Sequence, residues 1–137
     1  MNYWLLLADP KSYSFSDLER DKRTRWDGIA GSLAQKHLRG MRKGDMVLIY
    51  HTAPDKAVIG TAKLTTDPYL DPKDMDGERV VVDIRPLGRL ANPVLLASMR
   101  ENEKLKGMVF LRIQRVSVSP VSAAQFSQIL MMGNEPG

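Results

Sequence analysis

The chain of 137 residues carries 43% hydrophobic and 26% charged side chains, which suits the core of one soluble domain and is too short for two. It has no cysteine and two histidines, so disulfides, thiolate catalysis and thiolate-bound zinc are excluded, and neither a metal nor a cofactor is expected. Its formal charge of +4 is unevenly spread: residues 20–43 hold eight basic side chains against Asp21 and Asp27, whereas residues 67–83 hold six acidic ones against Lys73 and Arg79. Such asymmetry points to a side that faces a polyanion. No apolar run approaches the roughly 20 residues that span a bilayer. The opening MNYWLLLADP lacks a basic region and a small-residue cleavage site, so a cytoplasmic protein with no membrane partner is expected.

Residues 2–8 read as a strand apolar on both faces, hence central, stopped by Asp9-Pro10. Three segments then open with Ser followed three residues on by Glu or Gln: Ser16 with Glu19, Ser32 with Gln35, and Ser122 with Gln125. Each pattern can satisfy orphan helix N–H groups reciprocally and predicts a short helix. The middle helix turns Ala34, Leu38 and Met41 one way and Lys36, Arg39 and Lys43 the other, giving it a basic outer face. A fourth helix is predicted from Asn92-Pro93 through Met99, since Asn caps well and Pro suits the first helical position. Strands are predicted over 46–51, 58–65, 78–86 and 109–117, with 52–56 as a hairpin turn. Short strands interrupted by brief helices, without regular alternation, indicate an α+β class with a small mixed barrel.

Alternation along 46–51 puts Met46, Leu48 and Tyr50 on one face and Val47, Ile49 and His51 on the other. The strand therefore ends in a phenol and an imidazole, as either rim packing or ligand contacts. Trp26, between a cationic run and Gly28, falls on a predicted loop. Aromatic faces with a few polar edges suit a flat base, and stacking contributes roughly 1 to 3 kcal/mol per base. No G-x-S-x-G turn and no glycine-rich phosphate loop of recognised spacing occurs, so catalysis has little support.

Several motifs taken together resemble one family. They are Tyr3-Trp4-Leu5-Leu6 before Asp9-Pro10, Trp26-x-Gly28, Leu38-Arg39-x-Met41 leading to Gly44-Asp45, and Tyr50-His51. Gly60-Thr61-Ala62, the run Val80-Val81-Val82-Asp83-Ile84-Arg85-Pro86, and Arg115-Val116-Ser117-Val118-x-Pro120-Val121 continue the series over nearly the whole chain. The series is similar to the EVE domain, a PUA-like domain related to YTH and ASCH domains. That resemblance implies a β-barrel flanked by helices, with a pocket that holds a modified nucleobase flipped out of RNA or DNA. By position it implies Trp26, Tyr50, His51, Thr52, Arg112 and Ser117 as base-pocket residues. The basic stretch supplies the expected phosphate contacts: Arg23, Arg25, Lys36, Arg39, Arg42 and Lys43. The chain departs from the family where relatives carry Lys-Ser-Glu-Pro in place of Leu7-Ala8-Asp9-Pro10, and Arg-Asn in place of Ala30-Gly31. A non-catalytic reader of modified bases is the leading expectation. The alternatives are an RNA-processing enzyme of ASCH-like type using His51 as acid/base, and a small-molecule sensor or scaffold with a degenerate pocket.

Overall fold

The strand expected at residues 2–8 forms as β1 (Tyr3–Ala8), and with apolar residues on both faces it lies inside a sheet. The computed structural model describes residues 1–74, 77–113 and 115–134. After β1 come α1 (Phe15–Asp21), β2 (Thr24–Trp26), α2 (Ser32–Arg39), β3 (Met46–His51) and β4 (Ala57–Leu64). Then follow β5 (Tyr69–Leu70), β6 (Val80–Leu95), α3 (Leu96–Glu101), a 3-10 turn at Glu103–Leu105, α4 (Val109–Arg112), β7 (Val118–Val121) and α5 (Ala123–Asn134). The strands form one mixed sheet in the order β2-β6-β4-β3-β1-β7, with β5 on β6, curled into a half-barrel with short helices around it. This is the expected α+β, PUA-like class.

The β1 and β3 strands run parallel, Tyr3 opposite Met46 and Ala8 opposite His51, while the other described ladders are antiparallel. A parallel pair needs a crossover, and α1, β2 and α2 supply it. Alternation along β1 feeds a core on each face of the sheet. Trp4, Leu6 and Ala8 join Phe15, Trp26 and Leu38 on one face, and Leu5 joins Tyr50, Phe110 and Phe126 on the other. Gly60 in β4 lets α1 approach the sheet: a Cβ there would sit 2.5 Å from the Phe15 ring and 2.7 Å from the Gly88 carbonyl oxygen.

Several sequence expectations are corrected. The first helix is capped one turn-fraction earlier, by Ser14 and Asp17, whose side chains each accept the other's backbone N–H at 3.1 and 2.8 Å. An aspartate does the work expected of a glutamate there, and Ser16 and Glu19 instead receive Arg89 at 2.9 and 2.6 Å. Ser32 begins α2 but does not cap it; Gly31 holds that position without a side-chain bond. Gln35 is buried and donates to the Ile29 and Val80 carbonyls at 2.7 and 3.1 Å, while its own oxygen accepts the Val80 N–H at 2.9 Å. It stands where another β2 residue would pair, because β2 stops at Trp26 opposite Val82. The Ser122 and Gln125 box forms as expected, with bonds of 2.9 and 3.1 Å.

The helix expected from Asn92-Pro93 begins instead at Leu96, since pairing of Val94 and Leu95 with Val58 and Ala57 keeps the chain extended. The strand expected over 109–117 is not found among its described residues: Val109–Arg112 is the short helix α4, which buries Phe110, and the strand β7 begins only at Val118. Gln114 lies outside the described residues. Trp26 sits on a strand, not a loop.

Asp45 ties the crossover to β1. Buried at 3% exposure, its carboxylate accepts the Trp4 indole N–H at 2.9 Å and the backbone N–H groups of Asn2 and Arg42 at 3.0 and 2.9 Å. Hydrogen bonds to a charged acceptor contribute roughly 1.5 to 3 kcal/mol each, and a buried donor left bare adds its desolvation cost. Asp45→Ala is therefore expected to lower the unfolding free energy by about 3 kcal/mol or more in urea melts. Asp45→Asn, which keeps an acceptor for Trp4 and Arg42, should lose less.

Candidate nucleic-acid interface

Where β1 ends and β2 stops short, a cleft of about 660 Å³ opens. The β1 end contributes Leu7, Ala8 and Asp9, the following turn Ser12 and Tyr13, and β2 with its exit Thr24, Arg25, Trp26, Asp27, Gly28 and Ile29. Ser117 closes the far side, held there because its carbonyl accepts the Leu7 N–H at 3.0 Å. Gly28 has a left-handed backbone, φ +78°, which turns the chain away from β6 and leaves the space open. The volume lies within the roughly 300 to 1,000 Å³ typical of ligand sites.

The lining combines one aromatic wall with spaced polar groups. Tyr13 meets the Trp26 indole edge-on, ring centroids 6.1 Å apart at 78°, and its hydroxyl donates to Asp21 at 2.7 Å. Burial pushes the Tyr13 phenol above its ordinary value, so it stays neutral at physiological pH. The Asp9 carboxylate is exposed and accepts from the Lys11 N–H at 3.0 Å and the Ser12 hydroxyl at 3.3 Å. Arg25 is held at the rim by the Tyr69 hydroxyl, which accepts its Nε–H at 3.2 Å and donates to Asp83. That hydrogen bond raises the Arg25 guanidinium further, so the cation is permanent.

Of the six side chains expected at a base pocket, the structure brings Trp26 and Ser117 together in this cleft. Trp26 also belongs to the core at 9% exposure, so it is plug and wall at once. Tyr50 and Thr52 face a separate depression on the opposite side of the sheet, with the Tyr50 ring 4.6 Å from that of Phe110. Arg112 is exposed at the end of α4 and lines neither space. His51 lines a third depression, of about 390 Å³, beside Ser16 and Asp55. A Ser, a His and an Asp thus meet, but not as a catalytic set. The His51 Nε2 accepts the Phe15 N–H at 2.9 Å, its Nδ1 lies 2.9 Å from the Asp55 carboxylate, and the Ser16 hydroxyl accepts from Arg89. With Nε2 an acceptor, Nδ1 carries the proton and donates to Asp55.

Residues 2–132 match the EVE domain family. This chain belongs to the EVE domain family. Among solved structures, a Rhodopseudomonas palustris protein is 31% identical with a TM-score of 0.92, the match covering 97% of this chain and 93% of that one. The human THYN1 protein, in a crystal with 5-methylcytosine-containing DNA, has the same fold at 21% identity, a TM-score of 0.91 and full coverage of both chains. Mouse thymocyte nuclear protein 1 is 26% identical across 96% of this chain and 73% of its own length.

In this EVE domain the expected phosphate-contacting cations form two groups. Arg23 and Arg25 lie beside the cleft, Arg23 paired with Asp83 at 3.0 Å. Arg39 ends α2, Arg42 and Lys43 lie between it and β3, and none of the three lines the cleft. There Arg39 donates to the Glu78 carbonyl at 2.6 Å and Arg42 to the Arg39 and Met41 carbonyls at 2.8 and 2.6 Å, so these guanidiniums brace backbone. Lys36 projects from the middle of α2, exposed. Among the described residues no group of metal-ligating side chains occurs, and no helix is long and apolar enough to cross a membrane.

The sequence reading missed Asp9, Ser12, Tyr13, Thr24, Asp27 and Ile29 as lining residues. Asp9-Pro10-x-Ser12-Tyr13 held a usable signal, an acid and two hydroxyls directly after a strand end, but served only as a stop. Because His51 anchors the start of α1, His51→Ala is expected to cost about 1 to 3 kcal/mol by leaving a buried N–H unpaired. Amide exchange at Phe15 should speed up in that variant far more than exchange in β7.

Proposed function

We propose that this EVE domain is a non-catalytic nucleic-acid-binding module that takes a modified nucleobase into the Trp26 cleft. The observation that carries the reading is the cleft itself: an indole wall, an exposed carboxylate and two serines around a space large enough for a flat ring. Asp9 can accept from an exocyclic amine such as cytosine N4, the pairing that carboxylates make with that base. Leu7, Ala8 and Ile29 offer apolar contact to a methyl substituent. The human relative crystallised with 5-methylcytosine-containing DNA supports the same ligand class and makes that base the first to test. A flipped base also needs its phosphates held, and Arg25 at the rim supplies a fixed charge for one.

The occupied nitrogens of His51 argue against the enzymatic alternative, since neither is available to a substrate. Intact strands after prolonged incubation are the expected result; cleavage would favour the enzyme.

Binding is measured by anisotropy on oligonucleotides differing only in one 5-methylcytosine. Trp26→Ala is a poor probe, because truncating an indole this buried costs about 3 to 5 kcal/mol of stability. Trp26→Phe keeps an aromatic wall and should weaken the methylated strand by about 1 kcal/mol, near fivefold, as part of the stacking is lost. Asp9→Asn should erase much of the preference for an amino-bearing base. Equal affinity of the parent for both strands, or variants indistinguishable from it, would overturn the base-reading function.

A further inference from the structure

The depression lined by Tyr50 and Thr52 carries chemistry that the Trp26 cleft does not use. It is about 320 Å³ in volume, and its polar groups are Tyr50, Thr52, Lys56 and Arg100, against the apolar rings and chains of Phe110 and Leu96. Tyr50 is 4% exposed, and its hydroxyl makes no side-chain hydrogen bond to a described residue but stays open to solvent in this depression. Burial raises the phenol above its ordinary value, so the hydroxyl remains a donor at physiological pH, and Arg100 is near enough to oppose that shift. Neither Lys56 nor Arg100 makes an ion pair among the described residues. The nearest acids in sequence are Asp55, which is occupied by His51, and Glu101, which follows Arg100 on α3.

The two cations are placed together by the fold. The Leu96 N–H donates to the Lys56 carbonyl at 2.9 Å, which docks the start of α3 on the turn after β3, and Arg100 lies one helical turn on from Leu96. Two cations and a neutral phenol donor, with no acid in the lining, are a donor set for an anion. An apolar occupant would leave all three bare. Leu7 lines both this depression and the base cleft, and Leu7 and Tyr50 are register partners, so the two spaces adjoin across the β1–β3 end.

We propose that this depression is a phosphate subsite, with Lys56 and Arg100 at its mouth and the Tyr50 hydroxyl within. Its donors recognise a phosphate group as such; a nucleic-acid backbone beside the base cleft and a free phosphate are the two sources. The backbone source rests on the base-reading function proposed above, and a base-free strand separates the two ideas. The full chain, labelled with 15N, is titrated with an abasic deoxyoligonucleotide and, separately, with inorganic phosphate. The abasic strand is expected to shift the amides of Tyr50, Thr52, Lys56 and Arg100 while leaving the Trp26 indole N–H in place. Tyr50→Phe, which keeps the ring on Phe110, should weaken that binding roughly tenfold by removing one donor to a charged group. Lys56→Gln with Arg100→Gln, both surface changes, should flatten the slope of log K against log salt by about 1.4, or 0.7 per contact on a single strand. Shifts with inorganic phosphate alone support the subsite and assign it to free phosphate. No shift with either probe, or full affinity in Tyr50→Phe and the double variant, overturns it. Failure of base reading appears elsewhere, as equal affinity for methylated and plain strands.

Discussion

One buried carboxylate holds the topology together. Asp45 draws the indole of Trp4, the amide of Asn2 and the amide of Arg42 onto two oxygens, so the turn that launches β3 is fastened to the strand beside which β3 must run. Parallel strands have no hairpin to set their register, and a slip of one residue would exchange the two faces. Register here decides which side chains meet at this end of the sheet, because it puts Ala8 beside His51 and Leu7 beside Tyr50. The first pair belongs to the face with the Trp26 cleft, the second to the face with the Tyr50 depression. A fault at the Asp45 end would therefore be felt at the opposite end of both strands.

Much of the fold was legible because it follows from local pattern. Residues 2–8 and 46–51 were readable as strands from their apolar runs and 58–65 from its β-branched and alternating pattern, and Ser122 with Gln125 announced its helix through a box that needs only four residues. What escaped was decided by distant partners. Asn92-Pro93 has the local character of a helix start, but β4 claims Val94 and Leu95 for its ladder. Phe110 reads as strand in a run of Val, Phe, Leu and Ile, yet the pull that fixes it is the Tyr50 ring across the core. Gln35 reads as a capping residue and serves a backbone 45 positions away.

The candidate site was less legible than the fold. Alternation already put Tyr50 and His51 on opposite faces, yet the family resemblance implied both for one pocket, and the structure keeps them in separate depressions. His51 shows why residue type alone misleads: in a depression with a serine and an aspartate, it spends both nitrogens on positioning α1. Trp26 stood out because it fell on a predicted loop between a cationic run and Gly28, whereas the structure puts it at the end of β2. Its partners, Tyr13 and Val82, come from the turn before α1 and from β6.

Gln35 has a consequence for how this surface can change. Its side-chain amide completes the hydrogen bonding of Val80 and Ile29, so the sheet ends cleanly where β2 departs, with no open ladder to recruit a foreign strand. Asp27, Gly28 and Ile29 are thereby freed from pairing with β6 and line one wall of the cleft. Gly28 still owes the chain its left-handed turn and Ile29 its side chain to the core, but the exposed Asp27 can change without disturbing a register or exposing an edge. The chemistry of this wall can vary at a position that owes the fold little.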